Sequence, residues 1–212
     1  MDLNCKSIRE AWPQVVAKVI VGGSDQPVWV DGIYTETKEL RSLLMVNIDQ
    51  PLVDMVANGC GWGEPALEQY ADGIIHGTNP GFDYSYGERL RSYQMVFDQL
   101  KRVYLDLCRD ETSRQEIMLT WDPMSDLGTK LHKPCLCLLD VKVRSSHVNL
   151  TAYFRSHDAF KAWPVNAYGL ARLQQWLASD RWEVGRLTII SNALHIYKSD
   201  IPDAIRVAGG IP

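Results

Sequence analysis

Polar and apolar positions along the chain sort into a series of short elements. Ser7-x-x-Glu10 stands before an apolar run, the pattern of a capping box, and predicts a helix to about Ile20. Gly22-Gly23 and Pro27 then mark turns. Residues 39–49 ("ELRSLLMVNID") read as a strand closed by Pro51, 59–65 as a loop, and 66–75 ("ALEQYADGII") as a short amphipathic helix. Residues 76–87 form a glycine- and aromatic-rich loop. In 88–108, Leu90, Tyr93, Val96, Phe97, Leu100, Val103, Tyr104 and Leu107 recur at helical spacing, which predicts the strongest helix in the chain. Three strands follow, over 115–121, 134–144 and 147–156, the last two joined as a hairpin by a serine-containing turn. Residues 166–180 predict a helix with Gly169 as a mild flaw, and 185–197 one long final strand. The expected fold class is α+β: a mixed or antiparallel sheet covered by helices, in a single domain over residues 1–212.

Composition sets limits on this picture. At 212 residues, with 46% hydrophobic and 23% charged positions, the chain can bury a core without staples. A net charge of −4 and no basic tract argue against a nucleic-acid partner, and no apolar run approaches the ~20 residues that would cross a membrane. The N-terminus does not have the pattern of a signal peptide. Five cysteines at irregular spacing make neither a disulfide framework nor a zinc site, so no metal is expected and a reducing cytoplasm is the expected setting.

Candidate chemistry gathers late in the chain. Cys135 sits where a strand begins, and Cys137 is expected on the strand's other side. A nucleophilic thiol needs cationic neighbours, and a hairpin could bring Arg155 to it. A guanidinium fork and a hydroxyl, as in Arg155-Ser156, suit a phosphate. The Asn166 amide offers a donor and an acceptor to a base edge, or else caps a helix. His195 and Tyr197 share a strand face and could donate to a sugar hydroxyl, or simply line a strand edge.

These residues recur together in one family. Pro134-Cys135, then Arg155-Ser156-His157-Asp158 twenty residues past the cysteine, then Asn166 after Pro164, then His195-x-Tyr197, with "YGERLR" and "DETSRQEIMLTW" upstream, resemble the thymidylate synthase family from about residue 83 to 198. The compact length and "FRSHDA" are most similar to its short archaeal form. The resemblance implies methylation of dUMP at C5 to dTMP through a covalent adduct between Cys135 and pyrimidine C6. The one-carbon unit would come from 5,10-methylenetetrahydrofolate or a tetrahydromethanopterin analogue. That pterin would also supply the hydride, in keeping with the absence of a GxGxxG dinucleotide motif. It further implies that Arg155 and Ser156 hold the phosphate and that Arg155 lowers the Cys135 pKa. Asn166 would face uracil O4 and N3, His195 and Tyr197 the 3′-hydroxyl, Asp158 the pterin, and Tyr86 a proton-removing water network. Arg114 would reach the phosphate of a neighbouring subunit, which implies a homodimer.

The chain departs from the family pattern at several points. Gln115 follows Arg114 where the family has a second arginine, and Leu136 stands where a histidine commonly follows the nucleophile. Lys38 and Arg41 are the substitutes for an N-terminal arginine loop, and Glu64 and Glu68 the nearest candidates for the catalytic glutamate. The closing "GGIP" lacks the family's usual last segment. Two alternatives remain open at this stage: a pyrimidine hydroxymethylase of the same superfamily, for which an aspartate would suit cytosine better than Asn166, and a non-catalytic nucleotide-binding protein, for which the retained Cys135 has no use.

Overall fold

The computed structural model describes residues 1–30, 32–79, 81, 83–128 and 132–209. The C-terminal "GGIP" expectation therefore lies largely outside the described residues. In chain order the elements are β1 (Asp2–Cys5), α1 (Ile8–Gly22), β2 (Ser24–Val30), β3 (Ile33–Glu39), β4 (Leu44–Ile48), α2 (Glu64–His76), α3 (Tyr86–Arg91), α4 (Gln99–Arg109), β5 (Ile117–Leu119), α5 (Pro123–Asp126), β6 (Leu136–Arg144), β7 (His147–Phe154), β8 (His157–Asp158), α6 (Ala162–Ala178), β9 (Glu183–Ser191), β10 (Leu194–Tyr197) and α7 (Ile201–Val207).

A six-stranded mixed sheet runs β1-β4-β9-β7-β6-β5, and a four-stranded sheet runs β2-β3-β10-β8. The α+β class is as expected, with the strands divided between two sheets. The helix predicted to Ile20 is α1, and the Ser7 hydroxyl accepts from Glu10 N as a capping residue should. The β6–β7 hairpin also forms where alternation places it, turning at Ser145 and Ser146, both with φ in the left-handed region.

Three expectations fail for identifiable reasons. The helix over 88–108 is two helices, because Gln94 and Met95 adopt positive φ and Asp98 caps α4 by accepting from Lys101 N. The apolar residues that carried the rhythm across that break are outside: Met95 is 90% and Val96 86% exposed. The strand predicted over 185–197 breaks at Asn192-Ala193, so that β9 joins one sheet and β10 the other. Residues 22–27 do not simply turn: they lead into the β2–β3 hairpin, where Pro27 is tolerated on an edge strand.

Among the described residues the main core is a cluster running from Cys5 to Ala208, with Trp12, Phe154 and Trp163 among its fully buried side chains, and a smaller second cluster of Leu67, Ala71, Val165 and Tyr168 lies between α2 and α6. The centre of the main core is α6, which buries nearly every residue from Trp163 to Leu173. Glycine lets α2 come close to two neighbours. A Cβ on Gly169 of α6 would lie 2.7 Å from Ile74 Cδ1 and 2.8 Å from Tyr70 Cε1, and one on Gly87 of α3 would lie 2.0 Å from the Gly73 carbonyl oxygen. Gly169 is thus a packing requirement rather than a flaw. Among the described residues no helix is long and apolar enough to cross a membrane.

Helix propensity alone favours Gly→Ala by about 1 kcal/mol, and the close approach reverses that sign. Gly169→Ala is expected to destabilise by ~1–3 kcal/mol as side chains yield, and Gly87→Ala by more because backbone must move. Urea unfolding of the two variants checks this; a variant as stable as the wild type would contradict the packing described here.

Candidate active site

The site grows from the β6–β7 hairpin. Leu136 pairs with Phe154, and beyond that pair Arg155 N donates to Cys135 O at 2.9 Å. The guanidinium is then fixed from below: Nε donates to Pro134 O and Nη2 to Lys133 O, both at 2.8 Å, with Cζ 5.6 Å from the Trp121 ring centre. Two of the five guanidinium N–H groups are occupied this way. Tyr84 O–H donates to the same Lys133 carbonyl at 3.2 Å, so the segment before the thiol is held from two sides.

The register of β6 slips between Leu136 and Leu138, leaving Cys137 in a bulge. Cys137 does not face away from Cys135. Its thiol lies 3.7 Å from Cys135 O, and both thiols feel the Arg155 charge. Residues two apart on a regular strand share a face in any case, so alternation never separated them. Arg155 pulls the Cys135 pKa down as expected, but burial pushes it up and is the larger effect. The thiol of the free protein is therefore protonated at neutral pH, contrary to the expectation of a lowered pKa.

A cleft of about 1050 Å³ opens beside this hairpin, between α2, the loop before α3 and the first turns of α6. α2 contributes Ala66, Gln69, Tyr70, Gly73 and Ile74, while Tyr84, Tyr86, His132 and Asn166 close the other walls. Tyr70, Tyr84 and Tyr86 lie within electrostatic reach of Cys135, and burial above all raises their pKa values, Tyr84 to about 12. Tyr86 Oη accepts from Leu136 N at 3.3 Å, next to the thiol.

Asn166 lies inside α6, four residues past its start, so it is not a helix cap. Tyr70 O–H donates to its Oδ1 at 2.5 Å, and its Nδ2 lies 3.0 Å from His157 Nε2. His157 stacks on Phe154 and its Nδ1 lies 2.9 Å from Ser191 Oγ. β8 and β10 bring Asp158 beside His195, whose ring meets Tyr197 edge-on at 5.3 Å. Asp158 Oδ1 accepts from Phe160 N and Lys161 N, which ties it to the entry of α6. Burial raises its pKa against those two bonds. Ser156 is half-exposed between Arg155 and His157.

Other expected residues lie elsewhere. Glu64 and Glu68 do not line the cleft: Glu68 accepts from Tyr168 O–H and pairs with Arg172, and the α2 face turned to the cleft carries Gln69 instead. Lys38 shares a sheet face with buried Ile196, opposite to His195 and Tyr197, and exposed Arg41 donates to Ser24. Arg114 is exposed near Ser113, whose carbonyl accepts from Arg144 at the far end of β6 from Cys135. That is roughly 30 Å along a nine-residue strand, so a chain does not bring its own Arg114 to its own thiol. Sequence reasoning missed Tyr70, Tyr84, Trp121, His157 and Ser191 as parts of the site. The closely spaced tyrosines of "DYSYG" were the one available signal. Among the described residues no group of three or more His, Cys, Asp or Glu could hold a metal ion.

A thiol within reach of a fixed guanidinium, bordering a cleft walled by phenols and a buried amide, is an arrangement for covalent chemistry on a planar, anionic, hydrogen-bonding ligand. The chain belongs to the thymidylate synthase family, whose model matches residues 50–207. It is 39% identical over 222 aligned positions to a protein of Methanothermobacter thermautotrophicus, covering 97% of each chain. It is 35% identical over 201 positions to one of Methanosarcina barkeri, covering 93% of this chain and 90% of that one. Both relatives bear the name "Putative thymidylate synthase". The family is one of transferases.

The His157 ring is 1% exposed, and burial, helped by His195, pushes its pKa down to about 3. Unfolded, it titrates near ~6.5. The unfolded chain therefore binds one more proton between those values. The His157 contribution to stability is complete above pH ~6.5 and shrinks on acidification by about 1.4 kcal/mol per pH unit. Between pH 6.5 and 5 the wild type should lose ~2 kcal/mol more than His157→Gln in urea titrations; parallel curves would contradict a neutral buried ring.

Proposed function

We propose that the protein is a thymidylate synthase, working as one catalytic domain over residues 1–212 and converting dUMP to dTMP. The observation that carries this reading is the backbone bond of Arg155 to Cys135 across the hairpin, which sets the thiol within reach of the guanidinium charge and beside Tyr86, a wall of the cleft that Asn166 also lines. Family membership supplies the reaction class.

In this reading Cys135 gives up its proton and its sulfur attacks C6 of the uracil. The C5=C6 electron pair moves toward O4, and C5 becomes the nucleophile that takes a one-carbon unit. A reduced pterin, methylenetetrahydrofolate or its tetrahydromethanopterin analogue, supplies that unit and the hydride. Loss of the C5 proton, through water ordered by Tyr86, would break the bond from the one-carbon unit to the pterin nitrogen and leave an exocyclic methylene; hydride from the same pterin, oxidised to its dihydro form, would turn that methylene into methyl as the S–C6 bond breaks and the thiolate is released. Arg155 and Ser156 bind the phosphate, Asn166 the O4–N3 edge, His195 and Tyr197 the 3′-hydroxyl, and Asp158 the pterin. Burial keeps the thiol protonated in the free protein and leaves the charge of Arg155 strong in a poorly screened site, which suits activation only once substrate fills the cleft.

The homodimer belongs to the same proposal. The sheet face away from α1 and α6 carries a row of half-exposed or exposed apolar residues across five strands: Leu119 opposite Leu138, then Tyr153, Ile190 and Met45. A second copy on that face would cover it and could carry its Arg114 to the first copy's phosphate site.

Tritium release from [5-³H]dUMP with reduced pterin tests the reaction. Wild type and Cys137→Ser should release label and Cys135→Ser should not; release that depends on Cys137 alone would overturn the assignment, and a hydroxymethylated product would favour the hydroxymethylase. For the dimer, inactive Cys135→Ser mixed with inactive Arg114→Ala should recover about a quarter of wild-type activity, since half the dimers are mixed and each keeps one complete site. No recovery after subunit exchange, or a fully active monomer by sedimentation, would contradict it.

A further inference from the structure

Asn166 is not a lone amide on the cleft wall. It is one link in a chain of hydrogen bonds from Tyr70 through Asn166 and His157 to Ser191. The geometry fixes which end of the amide points where. The amide oxygen faces Tyr70, whose hydroxyl donates to it. The amide nitrogen then donates to His157 Nε2 at 3.0 Å. A neutral imidazole has one donor and one acceptor, so Nδ1 carries the proton and donates to Ser191 Oγ. The His157 ring lies flat on Phe154, with centroids 3.9 Å apart and planes at 13°, and is buried, so it cannot turn over to exchange its nitrogens. Tyr70 is held in turn by the close approach of Gly169.

We infer that Tyr70 and His157 are positioning residues that lock the Asn166 amide in one orientation, so that it presents one N–H and one oxygen lone pair of fixed order to the cleft and thereby selects uracil over cytosine. The inference rests on the reading of this cleft as a pyrimidine nucleotide site. Neither residue acts on the base directly. Uracil offers an acceptor at O4 and a donor at N3, which the locked amide matches. Cytosine offers a donor at N4 and an acceptor at N3, which needs the amide reversed. Reversal would turn the amide N–H toward a Tyr70 hydroxyl that is itself donating, and the amide oxygen toward the His157 Nε2 lone pair. His157 would have to shift its proton and Ser191 its hydroxyl before the chain could be satisfied again.

The experiment is titration calorimetry of the full chain with dUMP, dCMP and 2-deoxyribose 5-phosphate, which lacks a base. The proteins are wild type, Tyr70→Phe, His157→Leu and His157→Gln. Wild type should prefer dUMP strongly. Tyr70→Phe and His157→Leu should each narrow the dUMP-to-dCMP preference by about tenfold or more, the effect of one buried hydrogen-bonding group left free to re-pair, while the sugar phosphate binds as before. His157→Gln, which keeps an acceptor for the amide, should restore most of the preference. An unchanged preference in Tyr70→Phe and His157→Leu, or a parallel loss of all three ligands, would overturn the inference, because the residues would then be dispensable or merely structural. A wild type that binds dUMP no better than the sugar phosphate would instead overturn the nucleotide reading of the site, and the inference with it.

Discussion

The antiparallel pairing of β6 with β7 governs the rest of the site. It runs from the turn at Ser145 and Ser146 to the bond between Arg155 N and Cys135 O. Along its length Leu139, Val141, Val143, Val148, Leu150 and Ala152 enter the core, so the register is anchored by burial of one face. A slip by one residue would exchange the buried and outer faces and separate the thiol from its cation. The bulge between Leu136 and Leu138 shifts the phase once, beside the thiol, where strands are commonly bent at functional sites. Thr120 Oγ1 donates to Leu136 O, and Thr120 N and Trp121 N donate to Cys137 O, so the carbonyls the bulge displaces are satisfied.

Around this hairpin the polar groups are buried and mostly neutral. The Cys135 thiol, three tyrosines and His157 are each held in their uncharged forms by burial. Arg155 is the cation among them, and its charge is spread over two backbone carbonyls and an indole face. In such surroundings an unpaired group costs more than in water, and each bond also holds its neighbour in place. A ligand that brings an anion and a hydrogen-bonding edge meets donors already aimed, with little reorganisation left to do.

Much of this was legible in the sequence, for physical reasons. α1 announced itself through Ser7 and Glu10, and the β6–β7 hairpin through strict alternation, because each signal is local. The spacing from Cys135 to Arg155 was meaningful once the hairpin was drawn. What failed was nonlocal. The apolar rhythm of 88–108 ran straight through a break that Asp98 and two positive-φ residues impose, since periodicity does not reveal whether Met95 and Val96 find a core. Gly169 read as a weak helix position because its partners, Tyr70 and Ile74, lie about a hundred residues upstream. His157 passed as the variable position in a motif, and only burial against Phe154 and contact with Asn166 show its place. The glutamates failed because facing on α2 decides which side chain meets the cleft, and that face carries Gln69.

The central claim is that Cys135 bonds covalently to C6 of a uracil nucleotide. A 5-fluorinated dUMP tests it directly, because fluorine cannot leave as the C5 proton does and the adduct is held. The full chain is incubated with this nucleotide and reduced pterin, denatured, digested and mapped by mass spectrometry. The account predicts one modified peptide, containing Lys133-Pro134-Cys135, with the nucleotide and pterin masses added at Cys135. An intact protein mass without any adduct, or an adduct at Cys137, would contradict it.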